Sequence, residues 1–419
     1  MNHEILKRII FDQHEIIRGA EIVQRDYEFE ANANYVLVGL RRAGKSTLLY
    51  GMVRELVANG ADWEQIVYVN FEDERLVEFT TADFNDLLSL QAEMSGKKGH
   101  FFFDEIQNIP GWEKFARRLA DAGEHVCITG SNAKMLSKEI ATTLGGRYMT
   151  RYIAPYSFSE YLRAAGSGGG TVKTTREEGV LRGQFADYFY NGGLPETLQY
   201  RQKREYLSGV YQKILLGDIA ARNKLRNENT LKILVKKLAE TVRSEVSYTK
   251  LYSALKGVGV TVSKESVIDY VGYAEDAHLI FRVQNYFYKF SERESTPKYY
   301  FTDNGLLNLF LTDKDTALLE NAVAVYLKRQ YEEVWYLKSA QTGVDVDFYV
   351  ADTGTAVQVA YSIAGEARAR EVANLVKLSK NRKDLMRCLI VTYEEEEILE
   401  EDGLTIEVVP AYKYLMGTR

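Results

Sequence analysis

The chain has 419 residues, of which 46% are hydrophobic and 27% charged, and its formal net charge is −6. This composition excludes a disordered or fibrous protein, and no apolar run reaches the roughly 18 residues of a membrane-spanning helix. The N-terminal segment lacks the apolar region of a signal peptide, and the two cysteines fit neither a metal spacing nor a disulfide framework. We therefore predict a cytoplasmic protein of several domains with no membrane partner.

Short apolar runs and helix-like stretches alternate along the first third of the chain. The apolar runs lie at residues 35–38, 66–71, 100–103, 125–129 and 148–153, and helix-like stretches such as 46–58 and 112–122 separate them. Runs that are apolar on both sides are typical of parallel strands buried between two layers of helices. The pattern predicts an α/β domain built on a parallel sheet with helices on both faces.

The first strand leads directly into GLRRAGKST, which has the G-x-x-x-x-G-K-S spacing of a phosphate-binding loop. Such a loop turns its backbone N–H groups toward phosphate oxygens, its lysine reaches the β- and γ-phosphates, and its serine binds Mg²⁺ at a helix N-terminus. ATP and Mg²⁺ are therefore the predicted cofactors. Arg41 and Arg42 either add positive charge to the loop or are simply exposed. The predicted nucleotide-binding residues are Gly39, Arg42, Gly44, Lys45, Ser46 and Thr47, with Ser46 also a metal ligand.

The run HFFFDEIQ ends in two carboxylates, Asp104 and Glu105. Ligands of a parallel α/β sheet bind beyond the carboxyl ends of its strands, so these carboxylates should face the same crevice as the phosphate-binding loop. Asp104 is the predicted Mg²⁺ ligand, acting through water, and Glu105 is predicted to orient or deprotonate the attacking water. The alternative is a pair of surface carboxylates in a loop.

Polar residues also end the strand in VCITGSNAKML. Ser131 and Asn132 follow this strand, and either could contact the γ-phosphate or the attacking water. We include both among the candidate catalytic residues.

The sequence resembles bacterial and archaeal AAA+ ATPases whose C-terminal domain is related to archaeal Holliday-junction resolvases. The matching motifs are GLRRAGKST, FFFDEIQNIPGWEK, ITGSNAKML, LGGRY, PYSFSEYL, NGGLPE, YYFTDNGL and VDVDFYV. The resemblance implies a homo-oligomeric ring with ATP between neighbouring subunits, and Arg147 matches the arginine finger that reaches the next subunit's ATP. Arg151 is the alternative, and both arginines could instead be plain surface residues.

The resemblance and the composition together predict four segments. They are an AAA+ core (residues 1–165), a linker with a helical lid (166–225), a winged-helix-like domain (226–295) and a nuclease-like domain (296–419). The winged-helix prediction rests on three helix-like stretches followed by FRVQNYFYKF, which we interpret as the wing strands. The third helix of such a fold can enter a DNA groove, although other winged helices bind proteins.

The chain is acidic overall but has a basic middle. Residues 201–264 contain 14 Lys and Arg against 5 Asp and Glu, a local balance of +9, which favours a nucleic-acid partner. Arg243, Lys250, Lys256 and Lys264 are the candidate DNA contacts. Solvated helix faces are the alternative explanation, and acidic residues later in the third helix (Asp269, Glu275 and Asp276) weaken the case for groove binding.

The last 120 residues resemble the PD-(D/E)XK nuclease core, in which acidic residues hold Mg²⁺ and a lysine supports the reaction. Asp347 matches the first acid of that pattern, and Glu320 is a possible second ligand. Gln358 and Ala360 stand where the pattern has an acid and a lysine, and Lys338 is a possible migrated lysine. We therefore predict a nuclease-like fold that does not cut nucleic acid.

These observations favour a ring-forming Mg²⁺-dependent ATPase that engages DNA. Two alternatives stay open at this point. One is a nucleotide-dependent scaffold or signalling switch that binds a protein partner, and the other is a nuclease powered by ATP, which Gln358 and Ala360 disfavour.

Overall fold

A computed structural model describes residues 2–31, 33–131, 138–167, 174–225 and 227–417. The chain divides into two compact units. The first contains Met1–Ala154 and Asp276–His278, and the second contains Pro155–Glu275 and Leu279–Arg419. The predicted end of the AAA+ core at residue 165 lies beyond Ala154, where the first unit ends. The helix Phe158–Ala164, just before residue 165, belongs to the second unit. Within the described ranges, no helix combines the length and the apolar character needed to cross a bilayer.

The helices are, in chain order, α1 (His3–Gly19), α2 (Lys45–Ala58), α3 (Phe84–Met94), α4 (Trp112–Asp121), α5 (Lys138–Leu144), α6 (Phe158–Ala164), α7 (Thr175–Asn191), α8 (Lys203–Lys213), α9 (Glu228–Glu240), α10 (Tyr248–Gly257), α11 (Lys264–Asp276), α12 (Phe290–Ser295), α13 (Asn304–Leu307), α14 (Asp315–Gln330), α15 (Glu366–Asn381) and α16 (Ala411–Leu415). The strands are β1 (Asn34–Val38), β2 (Ile66–Asn70), β3 (His100–Asp104), β4 (His125–Gly130), β5 (Tyr148–Tyr152), β6 (Ile280–Asn285), β7 (Lys298–Phe301), β8 (Trp335–Ser339), β9 (Val344–Val350), β10 (Thr355–Val359), β11 (Arg387–Thr392), β12 (Glu397–Glu401) and β13 (Leu404–Pro410).

The first unit contains a parallel five-stranded sheet in the order β2-β3-β4-β1-β5. Alternate side chains of each strand enter different cores: Phe101 and Phe103 pack with α3 and α4, and Phe102 packs with α2. Burial on both faces explains why these strands are continuous apolar runs rather than alternating ones. The predicted α/β fold with a parallel sheet is confirmed.

Two glycine-containing motifs of the second unit, NGGLPE and YYFTDNGL, pack against each other. Gly192 ends α7 with φ of 76°, and the backbone N–H of Gly193 donates a 2.7 Å hydrogen bond to the buried Asp303 carboxylate. A β-carbon on Gly192 would lie 2.1 Å from Asp303 Oδ1. Burial raises the pKa of Asp303 to about 6, against the opposing effect of hydrogen bonds from the Gly193 and Leu306 N–H groups. These glycines therefore serve packing, and the motif is explained without a ligand.

Replacing Gly192 with alanine is expected to lower the free energy of unfolding by at least about 2 kcal/mol, through a left-handed backbone and a steric clash with Asp303. Chemical denaturation of the full chain measures the effect. Gly183→Ala, on the exposed side of the same helix with no neighbouring atom within 4 Å, is the control. It should change stability by no more than about 1 kcal/mol, in the stabilising direction. Equal effects of the two substitutions would contradict this packing role.

The predicted helices of the three-helix region are present as α9, α10 and α11, but the predicted pair of wing strands within residues 281–290 is wrong. β6 ends at Asn285, whose side-chain oxygen accepts from the Phe287 N–H and whose amide donates to the Lys338 carbonyl. This turn leads into α12, and the strand that pairs antiparallel with β6 is β7. β6 also pairs in parallel with β8, so it joins the sheet of the following region.

The eight-stranded sheet of the second unit has the order β12-β13-β11-β10-β9-β8-β6-β7. In the C-terminal segment, Glu320 lies on α14, which is followed in the chain by β8, β9 and β10 and then by α15. Pairing is antiparallel from β8 to β10 and parallel from β10 through β11 to β13. The sheet therefore contains β6 from the predicted winged-helix-like segment (226–295) and β7 to β13 from the predicted nuclease-like segment (296–419).

Candidate functional site

The loop between β1 and α2 has the backbone geometry that its glycines predict. Gly39 has φ of 150°, and a β-carbon there would lie 2.2 Å from the carbonyl oxygen of Ile153. Gly44 has φ of 93° and caps the N-terminus of α2, the helix on which Ser46 and Thr47 occupy the first turn. The Lys45 ammonium donates to the carbonyls of Gly39 (3.1 Å) and Leu40 (3.2 Å). The loop thus places an ammonium and a helix N-terminus beside each other, an arrangement that favours phosphate.

Asp104 lies on the same face of the sheet as α2. Side chains two residues apart on a strand lie on the same face of the sheet, so Asp104 lies on the face of Phe102, which packs in the core beneath α2. The Asp104 carboxylate is buried and accepts hydrogen bonds from Tyr68 (3.0 Å), Thr129 and Ser46. The hydrogen bond between Ser46 and Asp104 brings the two predicted metal ligands together, as the sequence analysis expects.

Glu105 follows β3 in a left-handed backbone conformation, with φ of 52°. Its N–H donates to Thr129, and its carboxylate Oε2 accepts from Ser131 (3.1 Å) and from Gln107. The other carboxylate oxygen, Oε1, is 4.0 Å from the Lys45 ammonium. The left-handed turn therefore places a second carboxylate beside the lysine of the loop.

The two adjacent carboxylates experience different electrostatic environments. Burial and the neighbouring charge of Glu105 raise the pKa of Asp104, although Thr129, Ser46 and Tyr68 oppose this shift by hydrogen bonding. Burial also acts to raise the pKa of Glu105, but the Lys45 charge, the hydrogen bond from Gln107 and the Arg41 charge leave it below its ordinary value. Glu105 is thus an ionised carboxylate near neutral pH, whereas burial destabilises the charged form of Asp104, which a bound cation would stabilise.

Comparisons with known proteins agree with this geometry. The profile of a family described as AAA domain matches residues 31–162, and a domain of unknown function (DUF8612) matches residues 182–317. An uncharacterised protein of Methanocaldococcus jannaschii is 31% identical over 98% of this chain and 95% of its own length. The chain belongs to the AAA family of P-loop ATPases.

A bacterial relative of this AAA ATPase, an uncharacterised protein of Haemophilus influenzae, is also 31% identical, over 91% of the chain and 94% of its own length. Among solved structures, a Walker-type ATPase of Pyrococcus abyssi has a TM-score of 0.43 at 15% identity, covering 70% of this chain and 99% of that one. The sequence matches cover both units, so the second unit also belongs to the sequence that these relatives share.

Three residues that the sequence analysis missed support the acidic pair of this AAA ATPase: Tyr68, Thr129 and Gln107. Tyr68 and Thr129 lie on the face of the sheet that carries Asp104 and hydrogen-bond to its carboxylate. Strand alternation indicates the face of the sheet on which Thr129 lies, since it follows the buried Cys127 by two residues, but only the strand order places Tyr68 and Thr129 beside Asp104. Gln107 contacts Glu105 through the turn after β3, and the sequence carries no signal for that contact.

The remaining predicted site residues lie elsewhere or outside the described ranges. The Arg147 guanidinium pairs with Asp121, and its side chain is 32% exposed. Arg151 lies on β5, with its guanidinium 5.9 Å from the centre of the Tyr35 ring. Arg42 is exposed and has φ of 65°, and Asn132 lies outside the described residues.

The residues predicted from the nuclease resemblance are only partly brought together. Asp347, Gln358 and Glu320 lie on β9, β10 and α14 of the second unit, and the Gln358 side-chain oxygen accepts from the Asp347 N–H. Lys338 is not the cation of this group, because its ammonium pairs with Glu245 at 2.9 Å. Arg243, predicted to contact DNA, instead pairs with Glu320 at 3.1 Å.

Proposed function

We propose that this AAA ATPase binds ATP with Mg²⁺ and hydrolyses it at the carboxyl edge of the parallel sheet. The observation that carries this proposal is the convergence of Lys45, Ser46, Asp104, Glu105 and Ser131 at the ends of neighbouring strands. Ligands of open α/β sheets bind at this edge. A surface pair of carboxylates, the alternative considered from the sequence, does not account for two buried acids with these partners.

Each residue has a distinct role in this proposal. Ser46 and Asp104 would hold Mg²⁺, which supplies positive charge to the phosphates when bound. The Lys45 ammonium and the first turn of α2 bind the phosphate oxygens. Glu105 stays ionised and can orient the attacking water or accept its proton through Oε1, while Ser131 and Gln107 hold Oε2.

Phosphate release from ATP tests this activity directly. The protein is expected to release phosphate in the presence of Mg²⁺ and to stop when EDTA removes the metal. A Mg²⁺-independent rate, or an absence of turnover under all conditions, would contradict the proposal.

The proposal includes a homo-oligomeric ring in which Arg147 reaches the ATP of the next subunit. Arg147 now pairs with Asp121, and both side chains are partly exposed, by 32% and 46% respectively. This exposure supports the proposed role. Ion pairs this exposed contribute only about 0–1 kcal/mol, so a phosphate can replace Asp121 at small cost. Arg147 also offers a planar, permanently charged group, which suits a phosphoryl-transfer transition state.

DNA engagement is the second part of the proposal, and the basic middle of the chain supports it. Lys250, Lys256 and Lys264 are exposed on α10 and α11. Across the described part of the chain, these three lysines form no ion pair with an acidic side chain within 4 Å. Three exposed positive charges on neighbouring helices favour a polyanionic partner.

Replacing Lys250, Lys256 and Lys264 together with glutamate is expected to weaken DNA binding about tenfold or more and to lower the salt slope by about three. Fluorescence anisotropy with single-stranded, duplex and branched DNA at several salt concentrations measures both quantities. The control is the same charge reversal at three exposed lysines elsewhere, Lys98, Lys114 and Lys383.

The DNA proposal has a clear failing result. If wild-type protein shows no binding at about 50 mM salt, or if the two triple variants bind equally, the basic segment does not contact DNA. An ATPase rate that none of the three DNAs changes would then favour the scaffold or signalling switch with a protein partner.

A further inference from the structure

A buried cluster of charges occupies the nuclease-like part of the second unit. The Lys298 ammonium, on β7, is 3.4 Å from Glu320 Oε1 and 3.4 Å from Asp347 Oδ1. The side chains of Lys298 and Glu320 are 4% and 2% exposed, and that of Asp347 is 15% exposed. Lys298 is thus the cation that the sequence analysis did not find, and it comes from a strand outside the motif.

Protein donors already occupy the carboxylate oxygens of this cluster. Asp347 Oδ2 accepts from the Val359 N–H (3.0 Å), and Glu320 Oε1 accepts from the Tyr300 hydroxyl (2.7 Å). Glu320 Oε2 pairs with the Arg243 guanidinium. Mg²⁺ requires several oxygen ligands at about 2.0–2.1 Å, whereas each of these four carboxylate oxygens already contacts a protein donor.

The balance of charge also disfavours a metal. The carboxylates of Glu320 and Asp347 face the cations of Lys298 and Arg243, so these four groups carry no excess of negative charge. Burial and the Glu320 charge raise the pKa of Asp347 to about 7, which lowers the negative charge of the cluster further. The nearby Glu371 hydrogen-bonds to Gln358 and pairs with its neighbour Arg370. Divalent cations bind where negative charge is in excess. Over the described ranges, no group of three or more His, Cys, Asp and Glu is arranged to hold a metal ion.

The lysine itself is charged in this environment. Burial acts to lower the pKa of Lys298, but the carboxylates of Glu320 and Asp347 outweigh burial and raise it above the ordinary value. A buried ammonium between two carboxylates contributes the positive charge that a metal ion would otherwise supply.

We propose that Lys298 replaces a divalent cation in the nuclease-like domain, so that its ammonium, rather than Mg²⁺, holds Glu320 of α14 and Asp347 of β9 together. The Mg²⁺ implied by the nuclease resemblance therefore does not fit this site. The second unit uses this site as an internal ion cluster that joins β7, α14 and β9. This inference does not depend on ATP hydrolysis in the first unit.

Removing the ammonium should convert the cluster into a metal site. Lys298→Ala leaves two buried carboxylates close together, and such a pair binds a divalent cation or becomes protonated. Without metal, this variant is expected to unfold several degrees below the wild type. Millimolar Mn²⁺ should then raise its unfolding midpoint by at least about 2–4 °C more than it raises that of the wild type.

Electron paramagnetic resonance titration counts the bound Mn²⁺ and separates this site from the ATP site. Lys298→Ala is expected to bind one more Mn²⁺ per chain than the wild type, and Lys298→Ala with Asp347→Asn should lose that ion. Asp347→Asn alone should bind as many Mn²⁺ as the wild type, because the ATP site is common to both. Linear, supercoiled and branched DNA should stay whole with wild-type protein in Mg²⁺ and in Mn²⁺.

Two results would overturn this inference. One is a wild-type Mn²⁺ ion that disappears in Asp347→Asn, and the other is DNA cleavage that this substitution abolishes. Lys298→Met, which keeps most of the side-chain volume but removes the charge, replaces Lys298→Ala if the alanine variant does not fold. If neither variant folds, the comparison of wild type with Asp347→Asn still decides, since the proposal requires equal Mn²⁺ binding.

Discussion

Glu105→Gln is expected to lower the ATPase turnover number about 10²–10⁴-fold while ATP binding stays within a small factor of wild type. A glutamine keeps the shape of the side chain and can still accept the Ser131 hydrogen bond, but it cannot accept a proton. The phosphate contacts from Lys45 and the N-terminus of α2 do not involve this carboxylate. Phosphate release gives the turnover number, and titration with a fluorescent ATP analogue gives the dissociation constant.

Two further variants make this result specific. Lys45→Ala should lose ATP binding itself, which separates binding from hydrolysis. Glu55→Gln, an exposed position near the other end of α2, makes the same chemical change away from the site and should leave turnover unchanged. Wild-type turnover in Glu105→Gln would remove Glu105 from the catalytic role.

Arg147→Ala is expected to lower turnover about 10³-fold or more and to leave ATP binding intact, if this arginine acts on the ATP of a neighbouring subunit. An equimolar mixture of Arg147→Ala and Glu105→Gln should recover activity, because some interfaces then combine an intact arginine with an intact glutamate. Turnover of the mixture, measured over a range of protein concentrations, tests this expectation.

Arg117→Ala is the matched control for Arg147. Arg117 lies 3.7 Å from the same Asp121, so its removal changes the environment of that carboxylate without removing the proposed finger. It should keep wild-type turnover. A monomer whose rate per chain is independent of concentration and nucleotide, or a mixture that stays inactive, would argue against the ring.

The acidic pair of the proposed ATP site could be predicted because its position depends on local features. An apolar strand followed directly by Asp104 and Glu105 places both at the strand's carboxyl end, whatever the rest of the fold does. The hydrogen bonds from Tyr68 and Thr129 to Asp104 depend on which strands are neighbours in the sheet, and the strand order could not be predicted from the sequence. The left-handed backbone at Glu105, which brings its carboxylate near Lys45, could not be predicted because the residue is not a glycine.

The second unit was harder to predict because its contacts join distant segments. Lys298 and Asp347 are 49 positions apart, and nothing near either residue indicates the other. Arg243 was similarly predicted to contact DNA because it lies in a basic segment, and its ion pair with Glu320, 77 positions away, could not be predicted. Local patterns predicted the three helices α9, α10 and α11, whereas the pairing of β6 with β7 and β8 joins segments that are distant in the sequence.

The contact of Gly193 with Asp303 has a consequence for how the chain is made on the ribosome. These residues are 110 positions apart, so at about 5–20 residues per second Asp303 is synthesised roughly 5–20 s after Gly193. During that interval the loop after α7 lacks the carboxylate that its N–H groups bind in the finished protein. The core of the nascent second unit therefore stays incomplete during this interval, in which a chaperone or a non-native contact can act on the exposed segment.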